Sequence, residues 1–157
     1  WCYEKSRVLC NACYICYRFN DKQDNTEVMS NNSKPDVLIV DDDQHILELV
    51  TSLLQTLDCN VVGSALDGEE GLALFREKQP DLVLLDFMMP GLSGLETLQQ
   101  ILAIKSDANV VMLTAVESNA VSDDCILAGA KDFVRKDQQP GDLTKRLADV
   151  IAKIAAL

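Results

Sequence analysis

The chain has 157 residues, 48% of them hydrophobic, and a formal net charge of −11. That length favours one domain with an ample core, and the acidic surface disfavours direct binding to nucleic acid or an anionic membrane. No apolar stretch approaches the roughly 18 residues of a membrane span, and there is no secretory signal pattern, so a cytoplasmic protein is expected.

The N-terminal stretch is read apart from the rest. Its four basic and four acidic residues before Met29 cancel, so the whole charge excess falls on residues 29–157. Cys2, Cys10, Cys13 and Cys16 crowd this stretch. Cys10-x2-Cys13-x2-Cys16 has a spacing that can bind zinc or an iron–sulfur cluster. No fourth ligand follows at familiar spacing, however, and the plainer reading is an upstream extension or added sequence over residues 1–28, with Met29 as a natural start. Residues 20–35 are polar and read as linker or disorder. The expected division is an extension and linker over 1–35 and a folded domain over 36–157.

From residue 36 onward, strand and helix patterns alternate five times. Strands are expected at 36–41, 60–65, 82–86, 109–113 and 132–135. Helices are expected at 44–57, 69–78, 94–105, 118–128 and 141–156. The first helix places Ile46, Leu47, Leu49, Val50, Leu53, Leu54 and Leu57 on one stripe, and the last places Leu143, Leu147, Val150, Ile151 and Ile154 at three- and four-residue intervals. Gly129 stops the fourth helix. Alternation of this kind predicts an α/β fold, a flavodoxin-like five-stranded parallel sheet with helices on both faces. The expected strand order is 2-1-3-4-5, with a site at the switch between strands 1 and 3. Cys59 and Cys125 read as core thiols.

Four of these strands deliver polar residues at their C-terminal ends. Asp41 and Asp42 leave strand 1, Asp86 leaves strand 3, Thr114 leaves strand 4, and Arg135 and Lys136 leave strand 5. Three converging carboxylates repel one another, so a cation is expected among them. Oxygen-only ligands suit Mg2+. A carboxylate can attack phosphorus and form an aspartyl phosphate, with Mg2+ and the Lys136 ammonium offsetting charge on the phosphoryl oxygens and Thr114 offering a hydroxyl donor.

The segments Leu38-Ile39-Val40-Asp41-Asp42-Asp43, Leu84-Leu85-Asp86-Phe87-Met88-Met89-Pro90-Gly91-Leu92-Ser93-Gly94, Met112-Leu113-Thr114-Ala115 and Ala128-Gly129-Ala130-Lys131-Asp132-Phe133-Val134-Arg135-Lys136 together resemble the bacterial response-regulator receiver family. The likeness extends over residues 36–156. It implies that Asp86 accepts a phosphoryl group from a sensor histidine kinase or phosphotransfer protein. It further implies that Asp42, Asp86 and the main-chain carbonyl of Met88 ligate Mg2+, that Asp41 acts mainly through bound water, and that Lys136 contacts the phosphoryl oxygens. Thr114 and Phe133 would act as switch residues, biasing a surface of helix 4, strand 5 and helix 5. Such a domain is a signalling phospho-acceptor and catalyses only its own phosphorylation and dephosphorylation. The output is contact with an unknown downstream protein, and a homodimer through the same surface is one option.

Other positions have plainer readings. His45 is a surface residue in the first turn of helix 1, Asp43 caps that helix, and Gly91 and Gly94 serve a tight loop. Arg135 is either a solvated neighbour of the site or a partner contact. Met88 and Val116, each two residues beyond a site residue, are expected at its mouth and to slow hydrolysis of the phosphate. One departure from the family stands out: Asp137 follows Lys136 where proline, joined by a cis bond, is usual. A cis bond before a non-proline residue costs about 3–4 kcal/mol, so a trans bond or stored strain is expected there. A haloacid-dehalogenase-type phosphatase would need Asp-x-Asp-x-Thr/Val after strand 1, and a flavodoxin-like cofactor binder a Ser/Thr/Gly loop. The sequence has Asp41-Asp42-Asp43-Gln44-His45 instead. With Leu157 closely following helix 5, the chain reads as a single-domain regulator or a receiver from a longer protein, the first favoured.

Overall fold

A computed structural model describes residues 34–115 and 119–155. The elements, in chain order, are β1 (Asp36–Val40), α1 (Gln44–Thr56), β2 (Asn60–Ala65), α2 (Gly68–Lys78), β3 (Leu82–Asp86), α3 (Gly94–Ile104), β4 (Val110–Thr114), α4 (Asn119–Leu127), β5 (Asp132–Arg135) and α5 (Pro140–Ala155). All strand pairs are parallel, in the order β2-β1-β3-β4-β5. This is the topology expected from the sequence. The N-terminal cysteines, the proposed start at Met29 and Val116 lie outside the described residues.

The buried runs in β1, β3 and β4 follow from their position between two helical layers. Successive side chains of a strand point to opposite faces, and both faces are covered here. Val37, Ile39, Leu84, Val111 and Leu113 pack against Leu47, Val50 and Leu54 of α1 and Leu143, Leu147 and Val150 of α5. Leu38, Val40, Val83, Leu85 and Met112 pack against Leu72 and Phe75 of α2, Leu98 and Ile101 of α3, and Cys125 of α4. Removing one such side chain, as in Leu84→Ala, would cost about 2–5 kcal/mol. Cys59 and Cys125 are buried free thiols, as expected, and burial pushes both pKa values up.

Local signals set the helix ends. Asp43 caps α1, its carboxylate accepting from His45 N–H at 2.8 Å. Asp67 caps α2 through Glu70 N–H. Ser93 and Glu96 form a reciprocal capping box at α3, which satisfies two otherwise orphan donors. α5 begins on Pro140, a residue that suits a helix's first turn because its missing N–H would be unpaired there anyway. The bounds shift by a residue or two from the sequence expectation. β4 runs on to Thr114 because the Thr114 carbonyl accepts Lys136 N–H at 2.8 Å, extending the ladder to β5. Asp41 falls just beyond β1, its N–H bonded to the Ala65 carbonyl at 3.0 Å.

Candidate phosphoryl-transfer site

The parallel sheet brings Asp41, Asp42, Asp86, Thr114 and Lys136 to one edge, since each stands at or just past the C-terminal end of its strand. β1 and β3 are hydrogen-bonded neighbours, so the acids leaving them converge. Asp41, Asp42 and Asp86 each offer a carboxylate oxygen, and these oxygens lie within 4.8 Å of one another. Lys136 reaches across from beyond β5. Its Nζ stands 2.5 Å from Asp41 Oδ2 and 2.8 Å from Asp86 Oδ1.

The three acids differ in environment despite their shared charge. Asp41 is fully buried. Its Oδ1 accepts Asp43 N–H at 3.0 Å. Its Oδ2 has the ion-pair contact with Lys136 but no hydrogen bond of acceptable geometry. Asp42 is exposed. Asp86 is buried, 3% exposed. Burial pushes its carboxyl above the ordinary carboxylate range, and the Asp41 charge adds to this; the Lys136 ammonium and the Met88 N–H oppose it without cancelling it. The site thus holds a carboxylate whose charge burial alone leaves undercompensated, which is a common condition of reactive groups.

The donor set fits a hard divalent cation. It is all oxygen, and the three aspartates carry three formal negative charges against the single ammonium of Lys136. Mg2+ favours such oxygen ligands and retains several waters, for which the exposed side at Asp42 leaves room. A cleft of about 440 Å³ opens there, lined by Asp42, Phe87, Met88, Met89, Ser93 and Leu95 among others.

The loop after β3 fixes the approach to Asp86. Phe87 N–H donates to the Leu113 carbonyl at 3.0 Å, and Gly94 N–H to the Phe87 carbonyl at 3.2 Å. Gly91 has φ +77°, a conformation that glycine adopts without a side-chain clash. Met88 is 63% exposed at the mouth, whereas Met89 is buried. Thr114 is buried, and Phe133 is half-buried, packed against the core cluster of α2 and α3.

A receiver model, described as "Response regulator receiver domain", matches residues 37–148. The chain belongs to the response-regulator receiver family. Chemotaxis protein CheY of Thermotoga maritima is 32% identical over 114 residues, which cover 73% of this chain and 95% of that protein. The nitrate/nitrite response regulator NarL of Escherichia coli is 34% identical over 125 residues, 79% of this chain but only 58% of NarL. The chain spans still less, 35%, of a protein-glutamate methylesterase/protein-glutamine glutaminase of Clostridium acetobutylicum, at 30% identity and 75% of its own length. Among solved structures, the CheX–CheY–BeF3–Mg complex of Borrelia burgdorferi superposes with a TM-score of 0.69 at 30% identity, over 74% of this receiver and 88% of that chain.

The geometry brings together Asp41, Asp42, Asp86 and Lys136, with Thr114 beside them. It places His45 on the exposed side of α1, where it takes part only in the cap. Among the described residues no peptide bond is cis, so the Lys136–Asp137 bond is trans. Two features escaped the sequence reading. One is Asp132, a buried acid at the start of β5 that pairs with Arg146 at 2.8 Å and Lys153 at 3.0 Å. Nothing local marks it, because both partners lie more than ten residues away. The other is the Arg135–Asp137 ion pair. It forms across a turn, since β5 ends at Arg135 and the chain turns at 136–137, so strand alternation does not mark it. No described helix is long and apolar enough to cross a membrane.

Proposed function

We propose that this receiver accepts a phosphoryl group on Asp86 from a phosphohistidine of a sensor histidine kinase or phosphotransfer protein. The observation that carries the reading is the Lys136 ammonium, 2.8 Å from Asp86 Oδ1, in a cluster that also holds Asp41 and Asp42. In the transfer, a carboxylate oxygen of Asp86 forms a bond to phosphorus. The donor's phosphorus–nitrogen bond breaks, and its electron pair leaves with the imidazole nitrogen. Asp42, Asp86 and the Met88 carbonyl would hold Mg2+, with Asp41 acting mainly through bound water. When bound, the ion supplies positive charge that lowers the cost of bringing an anionic phosphoryl group to three carboxylates. Lys136 neutralises a phosphoryl oxygen, and Thr114 donates its hydroxyl to another.

The phosphate then biases a two-state surface made of α4, β5 and α5, with Thr114 moving toward it and Phe133 turning inward behind. The output is contact with a downstream protein, and no direct role in nucleic-acid or membrane binding is proposed. The receiver occupies residues 36–157, preceded by an extension and linker over 1–35, in a cytoplasmic protein. Incubation with acetyl phosphate and Mg2+, followed by intact mass, tests the reading. One phosphoryl group is expected on the wild-type chain and none on Asp86→Asn. Equal incorporation in the two would overturn the assignment.

A further inference from the structure

Lys136 is fixed from two directions by contacts of the site itself. Its N–H donates to the Thr114 carbonyl at 2.8 Å, and its Nζ lies between Asp41 and Asp86. On its C-terminal side the chain enters a turn, and residues 137–139 are all exposed. No proline ring restrains φ at Asp137. A long, flexible lysine side chain can serve a charge-stabilising role only if its backbone is held, because catalytic gain depends on position.

Arg135 and Asp137 flank Lys136 and pair with each other. Arg135 Nε donates to Asp137 Oδ1 at 3.0 Å, and Arg135 Nη2 to Asp137 Oδ2 at 2.5 Å. Both prongs of the guanidinium therefore engage both carboxylate oxygens, a geometry that fixes the relative orientation of two planar groups. The pair spans the backbone of a single residue, Lys136, whose own side chain is engaged with Asp41 and Asp86 and is 12% exposed. The contact with Arg135 also holds the Asp137 carboxyl below the usual carboxylate range, so the pair stays charged at neutral pH.

We propose that the Arg135–Asp137 pair is a positioning clamp that holds the Lys136 backbone so that its ammonium stays aimed at Asp86. The clamp rests on the reading of Asp86 as phosphoryl acceptor. Neither residue touches the phosphoryl group; both act through Lys136. The pair is partly exposed, so its effect is modest, about three- to fivefold on the phosphorylation rate.

The test uses the full chain with acetyl phosphate and Mg2+. Asp137→Asn, Arg135→Gln, the double variant and Asp137→Glu are compared, with Asp86→Asn as control. Each single amide variant is expected to lower the maximal phosphorylation rate about three- to fivefold, with half-saturation by acetyl phosphate and Mg2+ affinity by calorimetry unchanged. The double variant should be no slower than Arg135→Gln alone, because the contact with Asp137 is already lost there. Asp137→Glu, which keeps the carboxylate, should recover most of the rate. Wild-type rates in the single variants, or single losses that multiply in the double, would overturn the clamp alone. Parallel losses of Mg2+ affinity and melting temperature would reduce it to a general structural contact and also overturn it. A wild-type chain that takes up no phosphate, or an Asp86→Asn chain that does, would instead overturn the assignment of Asp86 and the clamp with it.

Discussion

Gly94, the first residue of α3, lies directly against the main-chain carbonyl of Asp86. A Cβ at position 94 would stand 2.0 Å from that oxygen and 2.8 Å from the Phe87 Cα. Both obstacles are backbone, so neither can swing aside. The loop from Asp86 to α3 therefore closes only around a residue without a side chain. Gly94→Ala is expected to cost about 1–3 kcal/mol of stability and, by pushing the loop off Asp86, to slow phosphorylation even where the variant remains folded. Denaturant melts and acetyl phosphate uptake check the two effects; a variant with wild-type values of both would show that the loop yields freely.

Mg2+ affinity should fall further in Asp42→Ala than in Asp41→Ala. Asp42 is exposed toward the cleft, whereas Asp41 is buried and already engaged by Lys136 and by the Asp43 N–H. Calorimetric titration ranks the two. The reverse order would make Asp41 the direct ligand.

Met88 sits exposed at the mouth, two residues past Asp86. A thioether is only a weak acceptor and orients an attacking water poorly. A long-lived phosphorylated form is expected, and Met88→Asn should shorten its lifetime by roughly three- to tenfold through better positioning of the water. Decay of the phosphorylated mass over time measures this. An unchanged lifetime in both Met88→Asn and Val116→Glu would assign control to other groups.

Asp132 links β5 to α5 through Arg146 and Lys153. Burial alone would raise its pKa, but the hydrogen bonds from Lys153 and the Phe133 N–H, with the two cationic charges, outweigh burial and hold it below the usual carboxylate range. A carboxylate depressed in the folded state contributes stability that is complete above its unfolded pKa and lost as pH falls through the folded value. Asp132→Asn should therefore cost about 1 kcal/mol at neutral pH. The gap from wild type should stay flat from pH 7 to 5 and narrow progressively below about pH 5. A gap already closing at pH 6 would assign the effect to another group.

A chain starting at Met29 should melt within error of the full chain, because among the described residues the sheet begins at Asp36 and the core at Val37. A clear drop in melting temperature, or metal bound at Cys10, Cys13 and Cys16, would contradict this.

The sequence by itself determined the strands, their order and the identity of the acids, because those depend on local rules. Apolar runs of strand length separated by amphipathic helices admit few parallel topologies, and a parallel sheet must carry its strand-end residues to one edge. Asp41, Asp42, Asp86 and Lys136 were legible for that reason. Tertiary structure alone decided how adjacent, chemically identical acids divide between interior and surface. Asp41 is fully buried and Asp42 is exposed, because one carboxylate turns in toward Lys136 and the other faces the cleft. Only the fold could pair Asp132 with Arg146 and Lys153, since those contacts close over distances that no local pattern encodes. The Arg135–Asp137 ion pair likewise depended on how the chain turns after β5, whereas the trans bond at Lys136–Asp137 follows from the absence of proline.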